Sequence, residues 1–600
     1  MTKAPLLLLT VWLAPASLAQ YTSDPTQNLA VQTAASDQNQ PKTVSTADGG
    51  VWISWFDGIG TGWDVRLQRL DATGHAVFPA GGILVADRSF SSTQDYELAL
   101  TEDGDALLTY RSTSSSIEAA RVNVAGTVVW RTTVASQAGF VAAPSITDSA
   151  NGGAIVGWTE NSSVKFQRLD AAGAPLWASP VTLLPTTGSY SLGNVCEGLG
   201  DGAIASIVHS TGGFSSPRHL VAQSFDDAGN PLWGATPLPI FTSGSLQIGN
   251  FPECRPGQIG GAVFAWYSSS PSLQCYVEAV SSGGQKRFGP NGFAVSQNTS
   301  RLRVSPVAYS DLFGWIHVYW LEKSLNQSMT GIYGQQISPN GVATFGPDGR
   351  EYVALTNESI TQLGAAFEAN VSSIRTVLGW TQSPSFGQDR IEAMSLRFDG
   401  AVLAGPTVVS SVTGTKSRLT LTSRSVDFGG QAVFAWSDGR SDGGDIYAQN
   451  VSATCALGEP FPLGFFTNCT STPNSTTAVG FLEASGSAVV DQGNLVLTAS
   501  SLPPNNFGFC IASQDPGFVQ NVGGLGTLCL GGSILRLLGP GQILNGGPLG
   551  TFDVPVDLGQ PGLFGGVLPP MRGTPVYFQC WFRDVTSPSN FTNSVGVIGL

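Results

Sequence analysis

The sequence has 600 residues and a formal net charge of −14, and only 12% of its residues are charged, about half of the usual ~25%. It contains no basic stripe that could neutralise phosphates, which argues against nucleic acid or an anionic membrane as a partner. The length allows several domains, and the 74 glycines and 36 prolines are typical of a chain with many turns.

The first 19 residues have the features of a leader. Lys3 lies in a short polar start, an apolar run follows from Leu6 to Leu13, and Ser17-Leu18-Ala19 precedes Gln20. This pattern predicts a secretory signal peptide over residues 1–19. The apolar run is too short to span a bilayer, and no later run is a candidate transmembrane segment. We therefore expect an exported protein, either secreted or attached to the cell surface.

Residues 20–455 repeat one unit. Each unit has an apolar strand ending in an aromatic residue or histidine, a loop rich in Gly, Ser and Asp, a second strand and a Gly turn. The marker residues stand 48 to 60 positions apart, and they are Trp55, Tyr110, Trp158, His209, Trp266, Trp320, Trp380 and Trp436. A fixed period with about four short strands predicts a β-propeller.

Eight markers predict about eight blades, with seven as the alternative. The last unit reaches Cys455 without an outer strand, whereas the mature N-terminus, Asn28-Leu-Ala-Val, has the pattern of an orphan outer strand. Pairing the two would close the ring. An open array or two smaller propellers are the other arrangements that the repeat allows.

Two loops between paired strands carry acids seven residues apart, with glycines between them. The candidate calcium ligands are Asp57, Asp64, Asp438, Asp442 and Asp445. Carboxylate oxygens on a flexible Gly-rich loop suit calcium. The alternative is that Asp438 caps the turn and Asp445 pairs with Arg440 or with a neighbouring blade. No other cofactor is indicated.

No catalytic signature is visible. The four histidines are His75, His209, His219 and His317. His75 follows a turn glycine, His209 replaces a core aromatic and His317 lies in an apolar strand, so structural roles explain them. No G-x-S-x-G elbow occurs. The Asp box of sialidase-like propellers has only one approximate match, Ser45 to Trp52. We therefore assign no catalytic residue.

The repeat ends near Cys455. After a linker over residues 456–466, short alternating runs rich in Ser, Thr, Asn and Gly predict a small β-sandwich over residues 467–600. The fold class is therefore all-β, a β-propeller followed by a C-terminal β-sandwich.

Eight cysteines in an exported chain suggest disulfides. Cys196 and Cys254 precede strands at similar points in consecutive units, which favours an inter-blade bridge. Cys275 and Cys455 have no evident partners. Zinc binding is the alternative use of cysteine, but no C-x-x-C spacing occurs.

Five motifs of the last region occur in a fixed order. They are NCTSTPNSTTAVGFLEASGS, LVLTASSLPPNNFGFCIAS, GTLCLGGSILRL, VYFQCWFRD and SNFTNSVGV. Together they resemble a C-terminal module of secreted proteins from planctomycetes and related marine bacteria, which implies a bacterial source. The resemblance implies a Cys469–Cys529 bridge. The departure of this chain from the usual residues at two further positions suggests a second pair, Cys510–Cys580.

The repeats resemble secreted bacterial units of the form AWxDxRxGxxDIYAQRxDxxGxxxW, which residues 435–451 match best. Neither resemblance implies an activity. We expect an exported, non-catalytic protein for extracellular recognition or adhesion, with a glycan or a protein as its partner. The alternatives are a propeller enzyme that acts on polysaccharide, as a glycosidase or lyase, and a structural coat or matrix protein. The sequence indicates no oligomeric state.

Overall fold

The structure is a computed structural model that describes residues 21–598, except 73, 93–95, 137–138, 312, 370–373, 425–430, 453, 459–465, 470–471, 486–494, 521, 523–525, 538–542, 559–574 and 585–588. The predicted signal peptide and most of the predicted linker lie outside the described residues. Within the described ranges, no helix has the length and apolarity needed to cross a membrane.

Residues 29–451 form eight antiparallel sheets, here called blades one to eight. The first strand of the chain is β1 (Leu29–Gln32). The strands of blades one to four are β2 (Gln38–Ser45), β3 (Val51–Asp57), β4 (Asp64–Leu70) and β5 (Ile83–Ala86); β6 (Tyr96–Leu100), β7 (Ala106–Thr113), β8 (Ser116–Val122) and β9 (Val128–Ala135); β10 (Val141–Ser149), β11 (Gly153–Glu160), β12 (Ser163–Leu169) and β13 (Val181–Leu183); and β14 (Ser189–Glu197), β15 (Ala203–Ser210), β16 (Arg218–Phe225) and β17 (Leu238–Phe241).

Blades five to eight continue this pattern, with a single 3-10 turn at Gln258–Gly260. Their strands are β18 (Ser245–Leu246), β19 (Cys254–Pro256), β20 (Ala262–Ser270), β21 (Gln274–Val280) and β22 (Phe293–Ala294); β23 (Arg301–Ser310), β24 (Ile316–Ser324), β25 (Thr330–Ile337) and β26 (Arg350–Thr356); β27 (Ser359–Ala369), β28 (Ile374–Ser383), β29 (Arg390–Arg397) and β30 (Val402–Ser410); and β31 (Lys416–Ser423), β32 (Ala432–Asp438) and β33 (Asp445–Val451).

The N-terminal strand completes the last blade, as the sequence predicts. Blade eight has the order β1-β33-β32-β31, and Leu29 is the register partner of Ala448. The first strand of each blade contacts the first strand of the next, and β31 of blade eight contacts β2 of blade one. The eight sheets therefore form a closed ring around an axis, which is a β-propeller of eight blades.

The second strand of each blade forms its core. In blades one and eight every residue of β3 and β32 is buried, which confirms the prediction of a strand apolar on both faces. The terminal tryptophan is anchored by its ring nitrogen in several blades. Trp158, Trp320, Trp380 and Trp436 each donate Nε1–H to the side chain two residues later, which is Glu160, Glu322, Gln382 or Asp438.

A glutamine on the third strand ties five blades together internally. In each, Oε1 accepts the N–H of the following residue, and Nε2 donates to a carbonyl of the segment that leads to the neighbouring strand; these residues are Gln68, Gln167, Gln223, Gln335 and Gln449. Blade five has Glu278 instead. Its Oε1 accepts three backbone N–H groups, but its buried Oε2 has no hydrogen-bond partner in the described residues. Burial raises the pKa of Glu278 against the opposing effect of these N–H groups.

We expect Glu278→Gln to raise the free energy of unfolding by about 1–3 kcal/mol at pH 8, because Nε2–H would donate where a carboxylate oxygen is now unpaired. A carboxyl whose folded pKa is raised loses stability as pH rises through that pKa. The gain measured by denaturant unfolding should therefore shrink at pH 4. The reciprocal change Gln335→Glu should destabilise, and a gain for both variants would contradict this explanation.

The C-terminal part of the chain contains two facing sheets and a hairpin. Its strands are β34 (Phe466–Cys469), β35 (Phe481–Ser485), β36 (Leu495–Ser500), β37 (Phe507–Ser513), β38 (Pro516–Val519), β39 (Leu528–Leu530), β40 (Leu535–Arg536), β41 (Leu544–Asn545), β42 (Phe552–Val556), β43 (Pro575–Phe582) and β44 (Asn590–Ile598). One sheet has the order β34-β44-β43-β37-β40, and the other has the order β35-β36-β42. Side chains such as Leu497 and Phe578, one from each sheet, share one buried cluster, which is the packing of a β-sandwich.

Candidate functional site

The loop between β32 and β33 uses its first acid to neutralise buried cations. Asp438 Oδ2 accepts hydrogen bonds from Trp436 Nε1 at 2.8 Å and from Arg440 Nη2 at 2.6 Å. The same oxygen lies 3.5 Å from Nζ of Lys416, and both of these side chains are fully buried. Asp438 therefore has the partners of a structural ion pair and turn cap.

The other two acids of this loop have different surroundings. Asp442 is exposed, and its Oδ1 accepts the N–H of Gly444 at 3.1 Å. Asp445 is buried, and neither of its carboxylate oxygens has a hydrogen bond of normal geometry in the described residues. Burial, and then the Asp442 carboxylate, raise the pKa of Asp445, while the nearby Ser441 hydroxyl lowers it.

The equivalent loop of blade one also forms local contacts. Asp57 Oδ2 lies 2.9 Å from Nε of Arg66, and its Oδ1 accepts hydrogen bonds from Ser36 and Gln38. Asp64 Oδ1 accepts the N–H of Arg88 at 3.1 Å. In the described ranges no three His, Cys, Asp or Glu side chains are grouped so that they could hold a metal ion. The geometry favours ion pairs and turns, and calcium binding stays a prediction.

The predicted cysteine pairs are close together. The structure joins Cys469 to Cys529 and Cys510 to Cys580, and Cys510 and Cys580 are direct register partners on β37 and β43. The sulfurs of Cys196 and Cys254 lie 2.9 Å apart as buried thiols on adjacent blades. Cys275 and Cys455 are also buried free thiols.

We expect the Cys196–Cys254 bridge in protein isolated from an oxidising compartment, because a shift of about 1 Å brings the sulfurs to bonding distance. Peptide mapping without reducing agent should give a linked peptide that contains both residues. Recovery of both as alkylated thiols, from a sample in which Cys469 is linked to Cys529, would contradict the prediction.

Blade five departs from the others in its innermost strand. In the other blades this strand is continuous, whereas here it is split into β18 and β19, and residues 247–253 lie opposite only residues 265–267 of β20. We call residues 247–253 the axial loop, because they interrupt the strand nearest the axis. An irregular segment in an otherwise regular scaffold is a common place for a binding site.

Blade four fixes the axial loop. Ser206 donates its hydroxyl to the carbonyl of Pro252 at 2.5 Å. Asn194 exchanges two hydrogen bonds with the backbone of Cys254, of 2.8 and 2.7 Å. Gly193 is needed at this approach, since a Cβ there would lie 2.5 Å from the Pro252 oxygen. These contacts hold the end of the axial loop in one position.

A cavity of about 290 Å³ lies between the axial loop, β20 and the innermost strand of blade six. We call it the channel-wall pocket; its lining includes Asn250, Phe251, Glu253, Arg255, Tyr267 and Ser305. Glu253 is exposed, and neither Glu253 nor Arg255 forms an ion pair or hydrogen bond with another described residue. Phe251 is 48% exposed. The pocket therefore has an acceptor, a donor and an apolar ring that are not used by the protein.

A group of charges from three blades lies near this pocket. Lys42 Nζ on β2 lies 2.9 Å from Glu97 Oε1 on β6. Burial would lower the pKa of Lys42, but the carboxylates of Glu97 and of Glu253 more than offset this effect and raise it. Glu253 thus approaches from blade five a cation that blade one supplies. Several ionisable groups therefore converge on the inside of the ring.

The sequence analysis considered this region only for Cys254. Its signal is the stretch Gly249-Asn250-Phe251-Pro252, where the other units have a continuous strand. The irregular length of the segment is visible in the sequence. Its contacts with Ser206 and with blade six are not, because these residues are distant in the chain.

No protein-family model and no curated protein matches the chain. Solved structures similar to it include a protein of unknown function from Dyadobacter fermentans, 10% identical over 73% of this chain and 99% of that one, with a TM-score of 0.33. Another is the alpha-L-arabinanase of Penicillium chrysogenum in complex with arabinobiose, 10% identical over 74% and 100% of the two chains, with a TM-score of 0.34. A third, the acylaminoacyl peptidase of Pyrococcus horikoshii, is 11% identical over 67% and 57%, with a TM-score of 0.35. At these values the likenesses carry no argument about activity.

Proposed function

We propose that the protein is an extracellular recognition protein whose propeller binds a saccharide of one or two rings in the channel-wall pocket. The observation that carries the proposal is the pair of unused groups, Glu253 and Arg255, in a cavity of about 290 Å³. The disulfides of the C-terminal sandwich are compatible with an extracellular location.

The chemistry of the pocket suits hydroxyl groups. An ionised glutamate only accepts hydrogen bonds and an arginine only donates them, so adjacent sugar hydroxyls can satisfy both. The exposed ring of Phe251 offers an apolar surface for one face of a pyranose. A cavity of this volume lies at the lower end of the range of small-ligand sites.

The test is a glycan array followed by calorimetric titration of the strongest hit into the full-length protein. We expect saturable binding that falls about tenfold or more in Glu253→Gln and in Arg255→Gln, because each leaves a ligand group without its partner. Asp348→Asn, an exposed change outside the pocket, is the matched control and should bind like the wild type. Equal affinity in all four proteins would contradict the proposed site.

A polysaccharide-cleaving enzyme is the second candidate, because the carboxylates of Glu97 and Glu253 approach the same cation, Lys42. Glycoside hydrolysis commonly needs two carboxyl groups that flank the scissile bond. Release of reducing ends from the array hit, abolished in Glu97→Gln and in Glu253→Gln, would favour this candidate. A structural coat protein predicts no concave polar site, so the channel-wall pocket weighs against that alternative.

A further inference from the structure

Blade four departs from the repeat at both members of one cross-strand pair. Where the other seven blades end their second strand with Trp or Tyr, blade four has His209, and its register partner on β16 is His219. The corresponding partners in the other blades are Arg66, Glu118, Lys165, Tyr276, Tyr333, Glu392 and Tyr447. Two of the four histidines in the chain therefore face each other at one place.

The two imidazoles lie on the same face of the sheet, because direct register partners on neighbouring strands point the same way. Their ring centroids are 6.3 Å apart with the planes nearly perpendicular, and both residues are partly exposed. The ring of Tyr190 packs edge-on against His209 at 5.0 Å. The pair is thus accessible to solvent and supported from one side.

A hydrogen bond fixes the tautomer of His209. Its Nε2 lies 2.9 Å from the carbonyl oxygen of Thr187. A carbonyl only accepts, so Nε2 carries the hydrogen and Nδ1 keeps a free lone pair. Metal-bound histidines usually donate their second ring N–H to a carbonyl or carboxylate in this way. His219 has no hydrogen bond to any described residue, so either of its nitrogens can act as a ligand.

We propose that His209 and His219 form a binding site for a divalent transition-metal ion, with Nδ1 of His209 and one imidazole nitrogen of His219 as the protein ligands. Imidazole suits zinc, copper and nickel, and water completes the coordination. This site does not depend on the channel-wall pocket or on its saccharide. Burial and the neighbouring His209 lower the pKa of His219, which favours the neutral form that a metal requires.

The test is calorimetric titration of ZnCl₂ and NiCl₂ into full-length protein without an affinity tag. We expect one saturable site, weakened about tenfold or more in His219→Gln and in His209→Trp. Tryptophan is the residue that six other blades have at this position, so His209→Trp should keep the fold, which circular dichroism checks. His75→Gln, a turn histidine beside Asp71, is the matched control and should bind like the wild type.

Two results would overturn the proposal. One is the absence of saturable binding of either ion at millimolar concentration. The other is binding that persists unchanged in the double variant His209→Trp, His219→Gln, which would place the metal elsewhere on the chain.

Discussion

Asp438→Ala should lower the free energy of unfolding by about 3–5 kcal/mol, because it removes one partner of a buried ion pair and leaves the other uncompensated. The orphaned group is Lys416, whose Nζ then keeps only the carbonyl of Val412 at 2.5 Å. Burial already lowers the pKa of Lys416, and Asp438 is the main group that opposes this. The N–H groups of Trp436 and Arg440 lose their acceptor as well.

The measurement is denaturant unfolding with and without millimolar calcium. The matched control is Asp442→Ala in the same loop, which should change stability by less than about 1 kcal/mol because the residue is exposed. The loss in Asp438→Ala should be the same with calcium and with a chelator. A wild-type protein that calcium stabilises, beside an Asp438→Ala variant that it does not, would instead establish the loop as a calcium site.

Removal of residues 21–32 should lower the melting temperature by roughly 5–10 °C or abolish cooperative unfolding, because it deletes β1 and two core side chains. Tyr21 and Leu29 belong to the cluster that packs blade one against blade eight. Asn28 donates to the carbonyl of Val409 and accepts from Ser410 and Arg440. Without this segment the edge of β33 is exposed and the ring loses its closing strand.

Rescue by a peptide distinguishes ring closure from simple loss of core. A synthetic peptide of residues 21–36, added to the truncated protein, should restore most of the lost melting temperature. The same peptide with Leu29→Asp should not, because Leu29 is buried and a buried unpaired charge is strongly unfavourable. A truncated protein as stable as the full chain would contradict the account of closure.

The propeller was predictable because its unit recurs. Each marker aromatic, and the strand that it ends, occurs eight times, so an error in one unit is corrected by the others. The closing strand was predictable for the same reason, since one unit lacked an outer strand and one orphan strand was available. The two bridges of the sandwich had been expected only from the resemblance of its motifs.

The candidate site was much less predictable. The acidic loop showed the spacing of Asp438 and Asp445, but nothing local revealed that Lys416 lies against Asp438 from the preceding strand. The channel-wall pocket combines residues of blades four, five and six, which are close only in the folded ring. His209 was recognised as a replaced core aromatic, but its pairing with His219 depends on the strand register.

The most direct measurement of the central claim is a crystal structure of the full-length protein soaked with the strongest saccharide from the array. The account predicts a sugar ring in the channel-wall pocket, with hydroxyls hydrogen-bonded to Glu253 and Arg255 and one face on Phe251. A saccharide bound to the outer strands or to the C-terminal sandwich, with the pocket empty, would contradict it.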